Sequence, residues 1–130
     1  MYSKNLWHLT LIYLLLLNIL CCNPKCVKEE VVTFFDNELS IIEENLGPDY
    51  IIGGRSMIAV FTLQEVTGIQ SSVRFGDTSV YPGFDGFNND KLKWMRWLDE
   101  NGCELSIYHV ESILEKVKAE HPYLISSLAQ

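Results

Sequence analysis

Basic side chains are scarce in this chain. Ten Lys and Arg stand against 17 Asp and Glu, a formal charge of -7 over 130 residues. A surface of that sign repels phosphate backbones, so nucleic acid is not an expected partner. Cysteine and histidine are few as well: Cys21, Cys22, Cys26 and Cys103, with His8, His109 and His121. No His stands at ligand spacing from a Cys, so no metal site is expected from them. The Gly53-Gly54 pair has neither the Gly-x-Gly-x-x-Gly nor the Gly-Lys-Ser/Thr context of a phosphate loop and reads as a flexible turn. No cofactor is expected. An apolar run of membrane-spanning length, about 20 residues, is also missing; the longest stretch, Leu9 to Leu20, has 12.

What is present fits one small globular domain, with 48% apolar and 21% charged residues and no bias toward disorder. The acidic residues are spread along helices, which is the pattern of a solvated surface. The first 22 residues differ from the rest. Lys4 precedes the Leu9 to Leu20 run, and this basic start and apolar middle have the dimensions of a secretory signal peptide. The run ends in Ile19-Leu20-Cys21-Cys22-Asn23-Pro24, which resembles the lipobox of bacterial lipoproteins. In that family an aliphatic residue stands three before a Cys and a small residue just before it. The Cys becomes the lipid-bearing first residue of the mature chain.

The resemblance places Ile19 and Cys21 in those two positions and makes Cys22 the lipidated residue. Cys21 stands where the family has Gly, Ala or Ser. The alternative, lipidation of Cys21, would put Leu20 in the small position and Asn18 in the aliphatic one. The implied organisation is a lipoprotein signal over residues 1–21, a spacer over 22–27 and a helical domain over 28–130. The implied location is a bacterial cell-envelope membrane, with the lipid bilayer as partner through palmitate-type acyl chains. Processing at Cys22 leaves Cys26 and Cys103 as an even pair in a compartment where a disulfide persists. A disulfide is the expected use of these two thiols, and metal binding the lesser one.

An all-α fold is expected, a bundle of about four helices with one long structured loop. Val27, Val31, Phe35, Leu39, Ile42 and Leu46 recur at helical spacing, widened by Phe34 and Ile41, and Gly47-Pro48 marks the stop. Glu29, Glu30, Asp36, Glu43 and Glu44 lie off that stripe and read as solvated charges. Met57 to Val66 is apolar nearly all round, with Ser56 as its expected N-cap. Its length and Gly68 favour an innermost helix over a strand. Ser106 is expected to cap a helix with the stripe Ile107, Val110, Leu114, Val117 and His121, in which Lys116 and Glu120 pair across a turn. Pro122 then opens a short last helix through Tyr123, Leu124 and Leu128.

Between these helices, Ile69 to Phe87 is too long for a tight connection. Phe75, Tyr81, Phe84 and Phe87 predict that it is packed. Asp77, Asp85, Asn88, Asn89 and Asp90 offer oxygen ligands, but the EF-hand order is absent. Turn formation by Asp77 and N-capping by Asn88 or Asn89 account for them better. In the helix that follows, Trp94 and Trp97 stand one turn apart. With Met95 and Leu98 they form a broad apolar arc opposite Lys93, Arg96 and Glu100, so both Trp are expected in the core.

The stretch Leu63-Gln-Glu-Val66-Thr67-Gly68, the Phe75-Gly76-Asp77 loop, Trp94-x-x-Trp97 and Asn101 together resemble a segment of uncharacterised bacterial lipoproteins and of the ends of HEAT-like repeat arrays. That likeness covers about a third of the chain and implies a local fold, with no catalytic residue attached. Two functional classes follow. The first is a non-enzymatic binding or interaction module at a membrane surface, with a protein partner. The alternative is a hydrolase or metal-dependent enzyme using the Asp77 to Asp90 loop, which requires a concave pocket and converging carboxylates.

Overall fold

The computed structural model describes residues 26–126. The expected signal segment, Cys21, Cys22 and Leu128 lie outside the described residues. The chain forms α1 (Glu29–Glu44), β1 (Ile51–Ile52), α2 (Gly54–Thr67), β2 (Ser79–Val80), α3 (Gly83–Asn101), a 3-10 turn (Gly102–Glu104), α4 (Ile107–Glu120) and α5 (Pro122–Ser126). This is a small all-α bundle carrying a two-stranded sheet. No helix among the described residues is long and apolar enough to cross a membrane.

In α1 the periodic stripe is buried as its spacing demands: Val31, Phe34, Phe35, Leu39 and Ile42 all face the core. The helix stops at Glu44, earlier than the Gly47-Pro48 signal. Asn45 closes the last turn, its Nδ2 donating to the Ile41 carbonyl at 2.8 Å, so Gly47 is not the cap. A charged residue, Glu38, lies on the buried stripe at 3% exposure. It is tolerated because Arg55 reaches it with both guanidinium nitrogens, Nη1 donating to Oε2 at 2.7 Å and Nη2 pairing with Oε1. A bidentate pair of this kind offsets the desolvation of the carboxylate and fixes α2 on α1.

The innermost helix is α2, which packs against α1, α3, α4 and α5. Its apolar surface on nearly every side leaves no other place for it. Thr62 and Thr67 sit in this interior by donating their hydroxyls to Ile58 and Leu63 carbonyls at 2.8 and 2.7 Å. Ser56 is not the N-cap, because the helix begins at Gly54 with Gly53 in the capping position. Ser56 is instead buried against α1, its hydroxyl 3.3 Å from the Ile41 carbonyl oxygen. Gly68 ends the helix at φ 71°, a left-handed conformation that glycine adopts without a Cβ clash, and its N–H closes on Gln64.

Helix directions follow from these contacts. Arg55 and Ser56, at the start of α2, meet the second half of α1, so α2 runs back along α1. Lys116 of α4 pairs with Glu65 of α2 at 2.6 Å, closer than its in-helix neighbour Glu120 at 4.0 Å. Beyond α4, His121 stacks on Phe61, one turn nearer the start of α2 than Glu65, so α2 and α4 are antiparallel as well. The starts of α1 and α4 therefore share one end of the bundle. The Ile51–Ile52 strand, the start of α2 and α5 share the other.

The long connection is partly regular. Ser79–Val80 pairs antiparallel with Ile51–Ile52, in the register Ile51 to Val80 and Ile52 to Ser79. Arg74 and Val80 exchange backbone hydrogen bonds of 2.9 and 3.1 Å on the other side. The Trp helix starts at Gly83, well before Asn88, so Asn88 and Asn89 lie inside it and cap nothing. Burial of Phe87 against Tyr81, edge to face at 5.8 Å, outweighs the poor helix propensity of Gly83 and Gly86.

Candidate functional site

At the end of the bundle away from the starts of α1 and α4, four segments enclose a cleft of about 520 Å³. The strand Ile51–Ile52 and the Phe75–Ser79 turn form one side. Met57 and Phe61 of α2 form the floor, and Tyr123 and Leu124 of α5 form the outer wall. The β1–β2 pairing holds the Phe75 turn over α2. Pro122 starts α5 directly after α4, which brings Tyr123 over the same surface.

The cleft is aromatic and exposed. Phe61 stacks on Phe75 at 5.7 Å and on the His121 ring at 4.5 Å, and His121 meets Tyr123 edge to face at 5.8 Å. His121 Nδ1 and the Tyr123 hydroxyl are 3.2 Å apart. Ile51, Phe75 and Tyr123 are 50%, 53% and 62% exposed. A cluster of large apolar side chains around a concave site makes this the candidate binding site. Among the described residues, Asp77 is the sole carboxylate or basic side chain in the lining.

A second, shallower depression of about 490 Å³ lies at the opposite end, between the starts of α1 and α4, and carries Glu29, Glu30 and Glu111. No group of three or more His, Cys, Asp or Glu side chains close enough to hold a metal ion occurs among the described residues. The carboxylates of the Asp77 to Asp90 stretch take separate directions. Asp77 and Asp85 are exposed, whereas Asp90 is fully buried.

Asp90 is committed to structure. Its Oδ2 accepts from the Ser72 N–H at 2.5 Å and its Oδ1 from the Ser72 hydroxyl at 2.7 Å, tying the long connection to α3. Beside it the Tyr81 hydroxyl is buried next to the Asp90 carboxylate. Burial, and then the charge of Asp90, hold its pKa above the usual 10.0. The unfolded phenol ionises first, so this group's contribution to stability is complete below pH 10 and falls as the pH rises beyond it. Two outcomes are expected from denaturant unfolding across pH. Asp90→Asn, which offers one acceptor oxygen to two Ser72 donors, loses about 2 kcal/mol. Tyr81→Phe stays within about 1 kcal/mol of the parent at neutral pH and shows a smaller loss above pH 10.

The remaining sequence-predicted positions are placed as follows. Cys26 and Cys103 are joined as a disulfide with Cα atoms 5.0 Å apart. Trp94 is fully buried, and its Nε1 donates to the Ile69 carbonyl at 3.1 Å. Trp97 is half-buried on the flank of the core. His109 is exposed, and its N–H reaches Ser106 Oγ at 3.3 Å, which makes Ser106 the cap of α4.

Sequence reasoning missed Glu38, the buried role of Asp90 and the cleft. For the first two a signal existed: each falls at core spacing, Glu38 between Phe35 and Ile42 and Asp90 between Phe87 and Trp94. A charge on an apolar stripe requires a partner. Comparison of the chain with family models, with curated proteins and with solved structures finds no match in any of the three.

Proposed function

We propose that this protein is an exported lipoprotein, anchored at Cys22 to a bacterial envelope membrane. It acts as a binding module rather than an enzyme, and its aromatic cleft takes an apolar, basic segment of a partner polypeptide. The observation that carries this reading is the cleft itself, where exposed Ile51, Phe75 and Tyr123 surround a floor of Met57 and Phe61 and Asp77 supplies the charge. Apolar anchors that fill such pockets, beside one complementary charge, are how peptide segments are recognised. The net charge of -7 favours a basic partner in the same direction. The Cys26–Cys103 disulfide suits an oxidising compartment outside the cytosol.

The test is selection of a displayed random-peptide library on the intact lipoprotein in detergent micelles. Enriched peptides are expected to combine apolar side chains with Lys or Arg. Their binding should weaken at least about tenfold, or about 1.4 kcal/mol, in the double variant Ile51→Ser, Phe75→Ser and in Asp77→Lys. Enriched peptides that bind these variants as well as the parent would remove the cleft from the account. The anchor is tested separately by mass spectrometry of the native N-terminus, where an intact Met1 ahead of an unmodified Cys22 would end that part of the proposal.

A further inference from the structure

We infer that the Cys26–Cys103 disulfide sets which way the domain faces on its membrane. The clamped end lies against the bilayer and the aromatic cleft points into the aqueous phase, so the cleft meets a polypeptide arriving from solution and not lipid. This inference rests on the anchor at Cys22 proposed above.

Chain length supplies the first step. Only Asn23, Pro24 and Lys25 separate Cys22 from Cys26, and four residue steps reach at most about 14 Å. The second step is that the tether meets a fixed point at its first described residue. Cys26 is bonded to Cys103. Beside it Val27 packs on Gly102 so closely that a Cβ there would stand 3.1 Å from both Val27 methyls and 2.7 Å from Leu98 Cδ1. Without the disulfide the first hold on the core is the apolar contact of Val27, five steps and about 17 Å from Cys22, and such a contact, unlike a covalent bond, can open locally and let the body turn over.

Direction supplies the third step. From the clamp, α1 runs 16 residues, about 24 Å, and the Ile51–Ile52 side of the cleft follows soon after its far end. The start of α4 lies beside the start of α1, and α5, the outer wall of the cleft, follows the end of α4. The clamped end and the cleft are therefore opposite poles of the bundle. The clamped pole exposes Glu29, Glu30, Glu104 and Glu111 beside Lys28, an acidic excess that opposes insertion among anionic headgroups. The tether, and not attraction, holds that pole down.

After removal of the signal segment with Trp7, the tryptophans of the chain are Trp94 and Trp97, which makes a fluorescence test direct. The lipidated protein is reconstituted in phosphatidylcholine vesicles with dansyl-labelled headgroups, and energy transfer from tryptophan to the lipid is measured. The parent, with Trp97 toward the clamped pole, is compared with a Trp97→Phe, Tyr123→Trp variant; buried Trp94 is common to both. Transfer from the movable donor is expected to be at least halved when it stands at the cleft. The difference should vanish when about 20 Gly and Ser residues are inserted between Lys25 and Cys26, which lengthens the tether and keeps the disulfide. Protein that does not float with the vesicles overturns the anchor and this inference together. Protein that floats, yet transfers equally or better from position 123, overturns the orientation alone.

Discussion

Trp94→Ala is expected to lower the unfolding free energy by about 3–5 kcal/mol, the range for removing a large aromatic from a packed interior. Trp94 is fully buried, and its indole N–H satisfies the Ile69 carbonyl just past the end of α2. The variant therefore loses transfer energy, leaves a cavity and strips a part-buried acceptor of its donor. For Trp97→Ala, on the half-exposed flank of the same helix, the expected loss is about 1–2 kcal/mol. Denaturant midpoints of the two variants beside the parent check the order. Equal losses, or a larger one at Trp97, would show that the core is not centred on Trp94.

The second large effect is expected from removing the Cys26–Cys103 disulfide. The bond joins residues 77 apart, and closing a loop of that size restricts the unfolded chain by about 4 kcal/mol in the chain-entropy account. Cys26→Ser with Cys103→Ser, or reduction by dithiothreitol, should shift the denaturant midpoint accordingly. Thiol labelling of the unreduced, unfolded protein, with labelled positions mapped, provides the independent check. Two reactive thiols at positions 26 and 103 would show that the pair is not joined.

The parts of this fold legible in the sequence are those governed by local periodicity. The Val31–Phe35–Leu39–Ile42 stripe, the all-round apolar surface of α2 and the Ser106 cap each follow from helix geometry alone. Other parts were hidden because distant residues decide them. Gly83-Phe-Asp-Gly86 has the composition of a loop, and only the packing of Phe87 on Tyr81 makes it the first turn of a helix. Each strand of the Ile51–Ile52 and Ser79–Val80 pair has two residues, too few for a period of two to register. Glu38 and Asp90 announce a need for partners, yet Arg55 and Ser72, 17 and 18 residues away, are chosen by the fold. The cleft was the least readable, since Ile51, Phe61, Phe75 and Tyr123 come from four segments and none is unusual alone.

The same disulfide divides the chain topologically. It closes a covalent hoop from Cys26 to Cys103 that contains α1, α2, α3 and both strands, and it leaves α4 and α5 as a tail outside. Non-covalent contacts hold the tail to the hoop, chiefly buried Val110 and Val117, the Lys116–Glu65 ion pair and the His121–Phe61 stack. Tyr123 and Leu124, the outer wall of the cleft, belong to this tail, and the floor belongs to the hoop. Lifting the tail would therefore open the outer wall of the cleft while the hoop stays shut.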